Sequence, residues 1–128
     1  MEEYRDFDQN GQLWIRVLHS RGVREGECKV WRSNGRLEEQ KFYKRGVPEG
    51  KWKHWYVNGR PQSLEHYING APDGEYKSWL QDGRLSAHQF YRNGCLVDSK
   101  LHVTKSIFSR IKKLKFAVLS NFLIKDLN

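Results

Sequence analysis

Five histidines and two cysteines are the side chains of this 128-residue chain best suited to metal binding or nucleophilic chemistry. His19, His54, His66, His88 and His102 would have to converge with one another, or with Cys28 or Cys95, to hold zinc or to activate a nucleophile. Their spacing argues against it. No HExxH pair is present, and the cysteines lack the close spacing of a zinc site. Carboxylates that could act as acid and base are plentiful, yet Glu25, Glu49 and Asp73 recur at one phase of a regular pattern. A residue present in every unit builds the unit, whereas a catalytic pair is unique. The glycine-rich stretches "RGVREG", "RGVPEG" and "NGAPDG" do not read as phosphate loops, because no strand-to-helix turn follows them. These residues point away from an enzyme, a small-molecule substrate, a metal and any cofactor. No catalytic, cofactor-binding or metal-ligating residue is assigned.

Binding chemistry is better represented. Aromatic residues make up 13% of the chain and the net charge is +8, a combination that can stack bases and track phosphates. Arg36, Arg60 and Arg84 recur, as do Lys29, Lys53 and Lys77. Acids interleave with them, however: Glu27, Glu38, Glu39, Glu49, Glu65 and Glu75 break any positive stripe. Repeated strand lysines read as a solvated face or as guards against edge association. Nucleic acid is not the favoured partner.

The elements that position these residues follow a period of 24 residues. Turn glycines fall at Gly11, Gly35, Gly59 and Gly83, a second column at Gly22, Gly46, Gly70 and Gly94, and a third at Gly26, Gly50 and Gly74. All 11 glycines lie in these three columns. Trp31, Trp55 and Trp79 share a phase with Phe7, and Tyr43, Tyr67 and Tyr91 share another. Trp52 and Tyr76 share a third with Tyr4 and Cys28. A period of this length signals a stacked array. Hydrophobic residues at 38% and charged residues at 30% leave limited material for a deep interior.

Each unit reads as a β-hairpin. Asn10-Gly11, Asn34-Gly35, Asn58-Gly59 and Asp82-Gly83 suggest two-residue type I′ turns, which place both central residues at positive φ. Such a turn sets Cys28 opposite Lys41, Val30 opposite Glu39 and Trp31 opposite Glu38. The tryptophan phase then predicts a ladder of Trp31, Trp55 and Trp79 along one face. Tyr43, Tyr67, Tyr91, Trp52 and Tyr76 complete the candidate interaction residues.

The unit G-x-x-x-G-x-(W/Y)-x-x-W-x-x-(N/D)-G-R-L, closing on Tyr and Asn-Gly, resembles the MORN repeat. It is similar in particular to the variant found in bacterial antitoxin-type proteins and some large DNA viruses. The resemblance covers about residues 1–103. Three good copies begin at Gly22, Gly46 and Gly70. A partial copy precedes them, and a decayed one follows at Gly94, where Asp98 replaces the third-column glycine. It implies an all-β, single-layer, elongated antiparallel sheet that serves as a scaffold or binding surface.

Residues 104–128 break the period and read as a basic amphipathic α-helix. Ile107, Ile111, Leu114, Val118 and Phe122 form its apolar stripe, with Phe116 beside them. Lys105, Arg110, Lys112, Lys113, Lys115 and Lys125 face only Asp126, so most of the net charge resides here. The helix is expected to cap the sheet against edge-to-edge pairing. Alternatively it docks on a partner or on an anionic membrane surface through Arg110, Lys112, Lys113, Lys115, Phe116 and Phe122.

The start "MEEYRDFDQN" has no apolar run and does not resemble a signal peptide. Cys28 and Cys95 lie about 29 Å apart if strands are spaced about 4.8 Å, beyond disulfide reach. Together these features suggest a cytoplasmic, reducing location. The sequence therefore predicts a non-catalytic protein-interaction or scaffold module. An antitoxin-like protein or a minor structural component of a larger particle would be special cases, and a peripheral membrane tether is the alternative.

Overall fold

The computed structural model describes residues 1–100. The expected helix over 104–128, with Arg110, Lys112, Lys113, Lys115, Phe116 and Phe122, lies outside the described residues, as does His102. Among the described residues every regular element is a strand. They are β1 (Glu2–Phe7), β2 (Leu13–Ser20), β3 (Val23–Trp31), β4 (Leu37–Lys44), β5 (Val47–Pro48) and β6 (Gly50–Trp55). The chain continues with β7 (Pro61–Ile68), β8 (Ala71–Pro72), β9 (Gly74–Trp79), β10 (Leu85–Arg92) and β11 (Cys95–Lys100).

All 11 strands form one antiparallel sheet in the order β1-β2-β3-β4-β6-β7-β9-β10-β11. The short β5 and β8 pair with β4 and β7 as the leading ends of β6 and β9. Neighbours in sequence are neighbours in space, as a meander of short hairpins requires.

Two kinds of bend alternate, and the hydrogen bonds correct the turn assignment. At the Asn34-Gly35 bend, Gly35 N donates to Arg32 O (2.8 Å) and Arg32 N to Arg36 O (2.8 Å). Gly35 has φ 83°, but Asn34 is not at positive φ. This is a three-residue loop, a type I turn followed by a left-handed glycine, not the two-residue primed turn. The same bonds recur at Gly11, Gly59 and Gly83. The extra residue moves the register, so Trp31 pairs with Leu37 and not Glu38. Beyond this irregularity Val30 still opposes Glu39 and Cys28 opposes Lys41. Asn and Asp suit the loop because the side-chain oxygen accepts the N–H two residues on. Asn34, Asn58 and Asp82 each do so at 3.0 Å.

The primed turns lie at the opposite bend. Arg45 (φ 51°) and Gly46 (φ 81°) are both left-handed, as are Asn69 and Gly70, Arg21 and Gly22, and Asn93 and Gly94. Arg45 occupies a region costly for a residue with Cβ. A carboxylate one repeat earlier supports each of three such turns. Glu25 accepts from Arg45 N (2.5 Å), Glu49 from Asn69 N (2.8 Å) and Asp73 from Asn93 N (3.0 Å). The adjoining glycine N–H groups of 46, 70 and 94 donate to the carbonyls of Arg24, Pro48 and Pro72. The recurring acids therefore stitch successive repeats together.

The sheet has almost no interior. Among the described residues only Val17 (4% exposed) and Cys28 (5%) are buried hydrophobics, and no side chain is completely enclosed. Both cysteines are free thiols, Cys28 buried and Cys95 exposed. Burial holds the Cys28 thiol above its ordinary pKa.

Candidate interaction face

Residues directly paired across an antiparallel ladder share a face. One face carries paired charges interspersed with Trp31, Trp55, Leu64 and Trp79. Arg16 contacts Glu3 (2.8 Å) and Glu27 (3.2 Å), Lys29 approaches Glu27 (3.5 Å), and Glu75 contacts Lys77 (3.5 Å) and His88 (2.8 Å). Acids thus sit beside the strand lysines Lys29 and Lys77. His88, chiefly through its hydrogen bond, holds the Glu75 carboxyl below the usual range.

The other face, hereafter the aromatic face, carries the ring contacts of the tyrosine columns. Tyr43, Tyr67 and Tyr91 stand opposite Gly26, Gly50 and Gly74 in their ladders. At each of these glycines, all at positive φ, an added Cβ would meet Leu18, Phe42 or His66 respectively. Trp52, on β6, fills the gap between two of these tyrosines. Its ring centroid lies 5.2 Å from Tyr43 and 4.8 Å from Tyr67, in tilted arrangements favoured by the ring quadrupoles. The indole N–H donates to Phe42 O at 2.9 Å. Two cations cover this cluster. Lys41 Nζ sits 5.0 Å from the Trp52 ring, and the Arg24 guanidinium sits 5.1 Å from Tyr43 while donating to its hydroxyl at 3.0 Å.

One repeat further on, Tyr76 takes the place of Trp52. It meets Tyr91 edge-on at 6.4 Å. A cavity of about 360 Å³ opens here, lined by Glu65, Tyr67, Tyr76, Gln89 and Tyr91 among others. The Tyr67 hydroxyl donates to Glu65 Oε2 (2.5 Å) and the Tyr91 hydroxyl to Gln89 Oε1 (3.1 Å). Burial and the Glu65 carboxylate push the Tyr67 phenol well above its ordinary pKa, so it remains a donor.

Trp31, Trp55 and Trp79 are placed differently from Trp52. Among the described residues no ring pair joins them. Trp55 and Trp79 instead line a shallow depression of about 190 Å³ with Pro61 and Leu64. The ring contacts run through Tyr43, Trp52 and Tyr67, and then through Tyr76 and Tyr91. The described histidines with partners make strand contacts: His66 Nδ1 to Glu75 O (2.7 Å), His88 to Glu75 and His54 to Glu39 (3.5 Å). Among the described residues no cluster of His, Cys, Asp or Glu could hold a metal.

Sequence reasoning missed Glu65 and Gln89. Their signal was the column Val17, Lys41, Glu65, Gln89, in which apolar, basic, acidic and neutral polar residues succeed one another at one phase.

The model of a family described as the MORN repeat variant matches residues 24–45 and 48–69, two successive hairpin units. No curated protein and no solved structure matches the chain. The matched segments contain Tyr43, Trp52, Tyr67 and the carboxylates of Glu25 and Glu49.

Proposed function

We propose that this chain of MORN-variant hairpins is a non-catalytic protein-interaction module, a scaffold surface that docks a protein partner on its aromatic face. The observation that carries the reading is the run of partly exposed rings from Tyr43 to Tyr91 on a single-layer sheet. Aromatic side chains with a polar tip supply contact area at low entropic cost and are enriched in interfaces. The carboxylates most regular in sequence support the non-catalytic reading, because they are engaged in holding turns. Two free thiols are consistent with a reducing compartment. A tether through the basic residues 104–128 is the second reading, favoured by the concentration of charge there.

The test uses the full chain as bait in an extract of its native source. A partner should be retained by the parent and by Lys53→Glu on the opposite face, beside Trp55 and Trp79, and lost with Tyr91→Ala on the aromatic face. Equal loss with both variants, or no stoichiometric partner, would refute the docking assignment. Salt-sensitive binding of the parent to anionic vesicles, without a protein partner, would establish the tether instead.

A further inference from the structure

We propose that the cavity between Tyr67, Tyr76 and Tyr91 receives a cationic side chain, a guanidinium or ammonium group, presented by a basic segment of the partner protein. The inference rests on the interaction reading and names the partner's chemistry. Its strongest support is internal, because the preceding repeat contains the same arrangement with the cation built in.

In that repeat Lys41 on β4 lies beside Trp52 on β6, its ammonium over the indole. Gln40 pairs with Lys53 there, and Leu64 pairs with Lys77 between β7 and β9. The equivalent of the Lys41–Trp52 neighbours is therefore Glu65 beside Tyr76. Two changes occur together at this place. The ring shrinks from indole to phenol, which leaves the cavity, and the cation over the ring is replaced by a carboxylate. The other internal cation, Arg24 over Tyr43, has Pro48 and Pro72 as its equivalents in the next two repeats. The third repeat thus keeps its aromatic walls and lacks the positive group that covers them in the second.

Three phenol rings around a space of about 360 Å³, with a carboxylate on the lining, suit one kind of guest. A ring face attracts a cation through its quadrupole, and more strongly when water is excluded. Glu65 supplies the opposite charge. Its Oε2 accepts from Tyr67, which fixes the carboxylate toward the ring. No lysine or arginine is among the described residues that line the cavity, and Glu75 turns its carboxylate to Lys77 and His88 instead, so Glu65 is the charge left for a guest to meet. An anionic or purely apolar guest would leave Glu65 without a counter-charge in a partly dry site.

The experiment follows tyrosine ring resonances of the isotope-labelled full chain during titration with a short, blocked Gly/Ser peptide carrying one arginine. A matched peptide carries citrulline, which keeps the shape of arginine and removes its charge. The arginine peptide should shift Tyr67, Tyr76 and Tyr91 saturably, with Tyr43 unaffected. Binding should weaken at least tenfold for the citrulline peptide and for Glu65→Lys. That variant restores the residue type of Lys41, so retention of the sheet is checked by circular dichroism. Glu65→Gln serves as a second variant, expected to weaken binding severalfold. Equal binding of the two peptides, or unchanged affinity in both variants, would overturn the proposal. So would the absence of shifts, including the case in which the chain's own residues 104–128 already occupy the cavity. If the parent still retains a partner by its aromatic face while no shift is seen, only the cation assignment falls. If neither is observed, the interaction reading falls as well.

Discussion

Replacing Trp52 with alanine should destabilise the sheet more than replacing Trp55, although both are tryptophans on the same strand. Both rings are largely covered, so each truncation loses about 2–3 kcal/mol of apolar burial, at about 25 cal/mol per Å² and after allowance for a compact unfolded chain. Trp52 also makes two tilted ring pairs, with Tyr43 and Tyr67, each adding about 0.5–1.5 kcal/mol. Its indole hydrogen bond to Phe42 O adds less, because water can reach that carbonyl once the ring is gone. The expected loss is about 3–6 kcal/mol for Trp52→Ala and about 2–3 kcal/mol for Trp55→Ala. Urea unfolding followed by far-ultraviolet circular dichroism measures both without relying on tryptophan emission. Equal losses for the two variants, or a loss under about 1 kcal/mol for Trp52→Ala, would show that the tilted rings are incidental to stability.

Further outcomes follow from the turns and charges. Arg45→Asn should raise the urea midpoint, gaining about 0.5–1 kcal/mol, because Asn tolerates φ near 51° better than Arg; an unchanged or lower midpoint would refute the primed turn at Arg45-Gly46. Glu49→Ala should cost about 1–2 kcal/mol by removing the acceptor for Asn69 N, and Glu49→Gln should recover part of the loss, whereas equal losses would mean that the hydrogen bond contributes little. Glu75, whose folded pKa lies below 4.5 chiefly through its hydrogen bond from His88, contributes stability that is full above about pH 4.5 and disappears as pH falls through the folded pKa. His88→Ala should therefore lower stability at neutral pH and flatten its decline on acidification; an acid limb as steep as the parent's would refute the coupling.

The two kinds of bend were legible in the sequence because every glycine belongs to one of three columns, and each of those glycines takes a positive φ. Which bend was primed was not legible. Asn-Gly serves both a two-residue primed turn and a three-residue loop, and only the closing hydrogen bonds tell them apart. Arg45-Gly46 carried the weaker local signal, since its support comes from Glu25, 20 residues earlier. That non-local bond depends on a register no local pattern encodes. Trp31, Trp55 and Trp79 share a phase in the sequence, but equal phase does not bring rings together when repeats are two strands apart. Contact requires a ring on the intervening strand, and Trp52 supplies it between Tyr43 and Tyr67. The open cavity had its signal in Lys41 and Glu65. It could be interpreted only once the pairing of β4 with β6 and of β7 with β9 had fixed which residues stand beside Trp52 and Tyr76.

The near absence of an interior has a consequence for how such a chain can change over generations. In a globule, adding a segment disturbs a shared centre that every element helps to fill. Here each rung touches only the rungs beside it, and Val17 and Cys28 are the sole enclosed hydrophobics among the described residues. Whole units can be duplicated or deleted with only the two flanking seams to re-form. Length becomes an adjustable quantity, and each copied unit arrives with its own column positions free to diverge. The succession Val17, Lys41, Glu65, Gln89 is what that freedom produces, one scaffold position holding four chemistries in a row.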